Sequence, residues 1–86
     1  MGEEEVGIIT HFFSHINVGV VEITNGTLKV GETIHIKGIT TDFKQKIDSM
    51  QVEHDQVEEA EQGQSIGMKF KDRVRQHDKV FKILED

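Results

Sequence analysis

Hydrophobic and polar positions alternate with a period of two along most of the chain. The clearest case is Thr33–Lys37, where Ile34 and Ile36 fall on one face and the polar side chains fall on the other. This spacing is typical of a strand that buries one side. Ser65–Phe70 repeats it, with Ile66, Met68 and Phe70 directed inward. No segment longer than about two turns carries the 3.6-residue apolar stripe of a helix.

Glycine and asparagine separate the predicted strands. Asn25 and Gly26 form a turn signal because both residues accept a positive φ. Gly31 makes a second reversal, at a backbone angle closed to β-branched residues. The full set of predicted turn residues is Asn25, Gly26, Gly31, Gly38, Gly63 and Gly67.

The other strands follow from runs of β-formers, namely Val6–Phe13, Val18–Ile23 and Lys79–Leu84. The apolar parity of residues 43–54 switches midway, which predicts one long strand with a β-bulge near Asp48 or Ser49. Residues 56–63 are interpreted as a polar loop with room for one helical turn. The pattern predicts an all-β fold, a small closed antiparallel β-barrel of six or seven strands.

Composition sets the domain limits and the compartment. The chain has 86 residues and contains no cysteine, proline, tryptophan or tyrosine. We expect one domain over residues 6–84, preceded by a disordered acidic tail over residues 1–5. The absence of cysteine and of an apolar run of membrane-spanning length predicts a cytoplasmic protein that does not bind a membrane.

No enzymatic chemistry is predicted. Gly26 and Gly31 have the spacing of a phosphate-binding loop, but Glu32 stands where that loop needs lysine, so we expect no nucleotide. His11 and His15 lie on a strand and a turn, a spacing that does not form a reliable metal site. Nothing nearby orients a triad around Ser14 and His15. We therefore predict no catalytic residue, metal ion or cofactor.

Three segments carry a family resemblance. The first is Gly-x-Leu-Lys-Val-Gly-Glu-x-Ile-x-Ile at residues 26–36, followed by Gly63–Met68 and Asp78–Val80. Together they resemble the β-barrel that follows the GTPase domain in elongation factor Tu and related translation factors. Residues 43–47 and 57–60 also resemble the C-terminal barrel of collagenase-like peptidase family proteins. In related barrels, glycine often stands at the position of His77.

Charge is distributed unevenly within a net charge of −6. A basic segment contains Lys69, Lys71, Arg73, Arg75 and Lys79, whereas residues 53–61 contain five acidic residues and no basic one. The resemblance implies that the barrel binds tRNA, rRNA or a ribonucleoprotein in translation, and the basic segment is the predicted contact. Stacking on bases is not expected, because Phe13, Phe43, Phe70 and Phe81 are predicted to be core or near-core residues.

A second function of another class remains open. The chain is also consistent with a protein-interaction or regulatory subunit, supplied in trans to a collagenase-like peptidase family protein or an RNA-modifying enzyme. The acidic stretch over residues 53–61 is the docking surface that this hypothesis predicts.

Overall fold

The computed structural model describes residues 2–84, which contain ten β-strands. Their bounds are β1 Gly2–Phe13, β2 Val18–Ile23, β3 Thr27–Lys29, β4 Thr33–Lys37, β5 Asp42–Lys46, β6 Met50–Val52, β7 Asp55–Val57, β8 Glu59–Glu61, β9 Ser65–Lys69 and β10 Lys79–Leu84. The described residues contain no helix that is long and apolar enough to cross a lipid bilayer. The all-β class predicted from the sequence is confirmed.

Eight strands form one antiparallel sheet in the order β5-β4-β10-β1-β2-β9-β6-β7, and β3 pairs with β8 in a separate ribbon. The sheet encloses a single apolar core. Its buried side chains are Val6, Ile9, Val21, Ile23, Leu28, Ile34, Ile36, Ile47, Met50, Ala60, Ile66, Met68, Phe70, Val74 and Val80. The backbone ladder has two ends, β5 and β7, so full closure of the barrel stays a prediction.

Two register shifts bend β1, one between Glu5 and Gly7 and one between Ile9 and His11. Each shift adds a residue and reverses which face the following side chains occupy. As a result Phe12 packs against the core, whereas Phe13 is 50% exposed. The prediction that Phe13 belongs to the core or its margin is therefore wrong.

The first strand begins earlier than expected. Gly2 is the register partner of Leu84, and residues 3–5 continue the ladder with β10. The disordered tail predicted over residues 1–5 is therefore paired as a strand at residues 2–5, and Met1 lies outside the described residues. The acidic side chains there gave no apolar signal, but their backbone N–H and C=O groups have partners on the neighbouring strand.

Residues 43–54 do not form one strand. β5 ends at Lys46 and pairs with β4, whereas β6 begins at Met50 and pairs with β7 and β9. The change of apolar parity thus reflects a change of partner, and the bulge predicted near Asp48 or Ser49 is a break between strands. The helical turn expected in residues 56–63 is also wrong, because β7 and β8 occupy that segment.

The glycine turns follow the sequence with two qualifications. Gly26, Gly31 and Gly63 have φ values of 72°, 97° and 95°, as reversals at these positions require. Gly38 owes its place to packing, since a Cβ there would overlap the carboxylate of Asp78. Gly67 lies inside β9 and not in a turn.

Candidate functional site

The loop between β9 and β10 carries most of the predicted basic residues, and Asp78 fixes its shape. The Asp78 side chain is buried, and its Oδ2 accepts a hydrogen bond from the Arg75 backbone N–H at 2.8 Å. The Asp78 carbonyl accepts a second bond from Ile9 N–H at 2.8 Å. These bonds hold the end of the loop against β1.

One basic surface lies where the edge strand β5 approaches the end of β9. The Gln45 side-chain amide donates to the Lys69 carbonyl and accepts from the Lys71 N–H, both at 2.9 Å. Beside this bridge is a cavity of about 370 Å³, lined by Gln45, Lys46, Asp48, Lys69, Phe70 and Lys71. We call this the lysine groove. Three lysines and one aspartate give it a local positive charge.

A second basic surface lies at the far end of the loop, around a cavity of about 500 Å³. Lys37 and Lys79 are register partners on β4 and β10, and Arg75 also lines this cavity. Ile39 stands fully exposed at its margin. We call this the rim groove. The Lys79 ammonium is also 3.7 Å from the Glu5 carboxylate, which offsets part of its charge.

The predicted basic segment is thus divided between two grooves. Lys69 and Lys71 line the lysine groove, and Arg75 and Lys79 line the rim groove. Arg73 is exposed in the loop between them and lines neither. The structure adds Lys46 and Lys37. The sequence did not indicate them because each lies more than twenty residues from the other basic residues of its groove. The pairing of β4 with β10 brings Lys37 to the rim groove, and the Gln45 side-chain bridge brings Lys46 to the lysine groove.

A buried histidine joins three strands on the outer face of the sheet. The His35 side chain is 11% exposed, and its Nδ1 lies 2.6 Å from Glu3 while its Nε2 lies 2.5 Å from Asp42. The Asp42 hydrogen bond, and then the Glu3 hydrogen bond, raise the pKa of His35, although burial opposes them. The same His35 bond lowers the pKa of Asp42. The two carboxylates contact opposite ring nitrogens, so the arrangement is an ion-pair clamp and not a metal site.

The acidic stretch lies on a different part of the molecule. Residues 53–54 form the turn between β6 and β7, and both have positive φ. β7 is an end strand of the large sheet, and its acidic neighbours Glu53, Glu58 and Glu59 are exposed. Throughout residues 2–84, no group of three or more His, Asp and Glu side chains is arranged to hold a metal ion.

These features define the class of protein: a small all-β barrel domain whose charged groups, apart from buried Asp78, lie outside a single apolar core. Residues 17–76 match the family model described as elongation factor Tu domain 2. The chain belongs to the elongation factor Tu domain 2 family, which confirms the first resemblance seen in the sequence.

Relatives confirm the second resemblance. The chain is 35% identical over 82 residues to an uncharacterized protease of Methanocaldococcus jannaschii. It is 37% identical over 79 residues to a collagenase of Porphyromonas gingivalis. These alignments cover 94% and 91% of this chain but 20% and 22% of the relatives. The chain therefore spans about a fifth of the length of the curated relatives it matches.

Two solved structures share the fold. Both are the C-terminal domain of a Geobacillus thermoleovorans protein described as a U32 peptidase, one of them a selenomethionine variant. Their TM-scores are 0.84 for the variant and 0.87 for the other structure, at 18% identity in both cases. The matches cover 90% and 94% of this chain, and 96% and 93% of those chains. At this identity the likeness concerns the fold.

Proposed function

We propose that this chain is a non-enzymatic module that binds RNA, either tRNA or rRNA, in a translation-related role. The observation that carries the proposal is the lysine groove. Gln45 holds β5 against the end of β9, so Lys46, Lys69 and Lys71 surround one cavity on a chain whose net charge is negative. A local cluster of this kind suits a defined contact with a phosphate backbone better than indiscriminate binding.

The rim groove extends the same surface. The β9–β10 loop connects the two grooves and carries exposed Arg73 between them. An RNA chain that follows this loop would contact Lys46 in the lysine groove, then Arg73, and then Lys37 in the rim groove. Membership of the elongation factor Tu domain 2 family supports the proposal, because the resemblance implies contact with RNA.

Filter binding with tRNA and rRNA fragments at low salt tests the proposal. Lys71→Glu, and separately Arg73→Glu with Arg75→Glu, should weaken binding. Lys29→Glu is the matched control, because Lys29 is similarly exposed but lies on β3 beside Glu59. Replacing one phosphate-contacting lysine with glutamine should reduce the salt dependence of binding by about one counterion. Equal binding by all variants would refute the groove assignment, and no binding to any RNA would refute the function.

A second candidate function rests on the relatives. The proteins matched across nearly this whole chain are proteases and collagenases in which the matching part is about a fifth of the length. The same barrel would then serve as an interaction module for a U32 peptidase-type protein, with the acidic surface around β7 as the docking face. A pull-down with and without nuclease separates the functions: partners lost after nuclease favour RNA, and retained partners favour the protein interaction.

A further inference from the structure

The rim groove combines an aliphatic side chain with cations, and contact with a phosphate backbone accounts only for the cations. Ile39 stands fully exposed in the turn between β4 and β5. The Gly38 N–H donates to the Thr41 carbonyl at 2.7 Å, so the turn is closed and holds Ile39 away from the core. One exposed aliphatic residue is ordinary. This one, however, lines a cavity of about 500 Å³, a size typical of ligand sites.

His77 lines the same groove at an energetic cost. Its φ of 80° is a left-handed value that strains a residue with a Cβ. Its backbone N–H donates to the Ile9 carbonyl at 2.8 Å, a bond that any side chain at this position would allow. Glycine would make the same bond without strain. Because strained residues cluster at ligand sites, the imidazole of His77 is a candidate for contact with a ligand.

Both walls of the rim groove are fixed by bonds and packing within the domain. The Asp78 carboxylate accepts a hydrogen bond from the Arg75 N–H at 2.8 Å, and the Asp78 N–H donates to the Arg75 carbonyl at 3.1 Å. Gly38 packs against the same carboxylate so closely that a Cβ would overlap it. The β9–β10 loop is therefore held against the β4–β5 turn. A preformed groove of this kind loses little conformational entropy when a ligand binds.

Three cations surround the exposed isoleucine. They are Lys37, Arg75 and Lys79. Nearby carboxylates offset only part of this charge. The Glu5 carboxylate is 3.7 Å from the Lys79 ammonium, and Asp42, the register partner of Lys37, is bonded to His35. The groove therefore keeps a local positive charge on a chain whose net charge is −6. A partner of complementary charge carries carboxylates.

We infer that the rim groove binds an acidic peptide segment of a partner protein, anchored by an aliphatic side chain. That side chain packs on Ile39 and on the methylene groups of the adjacent lysines. Carboxylates of the peptide pair with Arg75 and Lys37. The imidazole of His77 donates a hydrogen bond to an oxygen of the peptide.

The chemistry of the groove favours a peptide over RNA as its occupant. An unpaired base is held by stacking on a flat ring, and the branched side chain of Ile39 offers no such surface. The inference goes beyond the proposed RNA contact. Because Arg75 would serve both ligands, the peptide and RNA exclude each other at the rim groove, whereas the lysine groove stays open to RNA.

Fluorescence anisotropy with a labelled synthetic peptide tests the inference. The leucine peptide has two central leucines flanked on both sides by glutamates, and the serine peptide has serine in place of both leucines. Ile39→Ser should weaken binding of the leucine peptide roughly 10-fold, because apolar contact is lost. It should leave the weaker binding of the serine peptide unchanged. Ile16→Ser is the matched control, because Ile16 is also an exposed isoleucine but does not line the groove.

Variants of His77 separate binding from stability. His77→Gly should weaken binding of the leucine peptide roughly 5-fold, because the imidazole bond is lost, while its free energy of unfolding stays equal to or above that of the wild type. His77→Asn tolerates the left-handed backbone and keeps an N–H donor, so it should bind within about 2-fold of the wild type. A residue with a purely structural role would not lower affinity without lowering stability.

The failure of this inference is distinct from the failure of the proposed function. If RNA binds but neither peptide does, or if Ile39→Ser and His77→Gly bind the leucine peptide as the wild type does, the inference is wrong and the proposed function stands. If the leucine peptide binds as expected and no RNA binds, the inference stands and the function fails. If Ile39→Ser converts a dimer to a monomer in sedimentation, the groove is a self-association surface and the inference is wrong.

Discussion

The carboxamide of Gln45 bonds the backbone of Lys69 and of Lys71 as the N–H and C=O of one residue in a neighbouring parallel strand would. It donates to the carbonyl of one residue and accepts from the N–H two residues on. In a parallel ladder, the N–H and C=O groups of one residue make this same pair of bonds. A side chain thus joins β5 to the end of β9, where the backbone ladder does not continue.

Removal of the Gln45 bridge should weaken the contact between β5 and β9 and destabilise the fold. Gln45→Ala is expected to lower the free energy of unfolding by about 1–2 kcal/mol, because two hydrogen bonds are lost at a partly exposed site. Urea denaturation measures the change. Gln56→Ala, at an exposed position on β7, serves as the control and should stay within about 0.5 kcal/mol of the wild type. If Gln45→Ala leaves the free energy of unfolding unchanged, hydrogen bonds to water replace both bonds at no cost.

Two glycines give a matched test of close packing. Gly38→Ala places a methyl group on the Asp78 carboxylate and should cost about 1–3 kcal/mol of unfolding free energy. Gly67→Ala meets only an ordinary contact and should be nearly neutral or slightly stabilising. Equal effects in thermal or urea unfolding would show that the Asp78 loop moves freely away from Gly38.

The His35 clamp should make stability depend on pH in both directions. Because its neighbours raise the pKa of His35, the clamp stabilises the fold fully below the ordinary histidine pKa and weakens as pH rises through the raised value. Because His35 lowers the pKa of Asp42, the contribution is also lost when pH falls through that lowered value. The clamp is therefore strongest in mildly acidic solution.

Urea unfolding of the wild type and His35→Gln at about pH 5.5 and about pH 8.5 measures this effect. The difference in stability between the two proteins should be larger at the lower pH. Subtracting the variant removes contributions from the other carboxylates. If the difference in unfolding free energy between the wild type and His35→Gln is the same at both pH values, folding does not change the protonation of His35, and the prediction is wrong.

His77 occupies a backbone position that suits glycine, with φ at 80°. His77→Gly should raise the free energy of unfolding by up to about 1 kcal/mol, because a left-handed angle strains a residue with a Cβ. Asn17→Gly, at φ 54°, is the comparison and should gain less, since asparagine tolerates this region. Thermal melts of the two variants provide the measurement. If His77→Gly is instead less stable than the wild type, the imidazole of His77 makes a stabilising contact.

The alternation of apolar and polar residues predicted the strands well where successive side chains alternate regularly between the core and the solvent. β2 and β10 have the predicted bounds, and Ile66, Met68 and Phe70 are buried as expected. The errors came from long-range pairing. The register shift after Ile9 turns Phe13 outward, and it depends on how β1 meets β2, which a period-two pattern does not contain.

The candidate site was predictable to a similar degree. The basic residues of the β9–β10 loop are close in sequence and were found, but Lys46 and Lys37 enter their grooves only through the fold. The alternation in Thr33–Lys37 predicted that His35 lies on the polar face, opposite Ile34 and Ile36. It is buried because Glu3, thirty-two residues earlier, reaches it across β10.

The register pair Gly2 and Leu84 also has a practical meaning. These residues lie side by side on adjacent strands, so a linker of a few residues would span them and make the polypeptide circular. New ends introduced at the exposed Gly63 turn would then leave the core intact. A cargo protein fused at either residue would be displayed from the same side of the barrel.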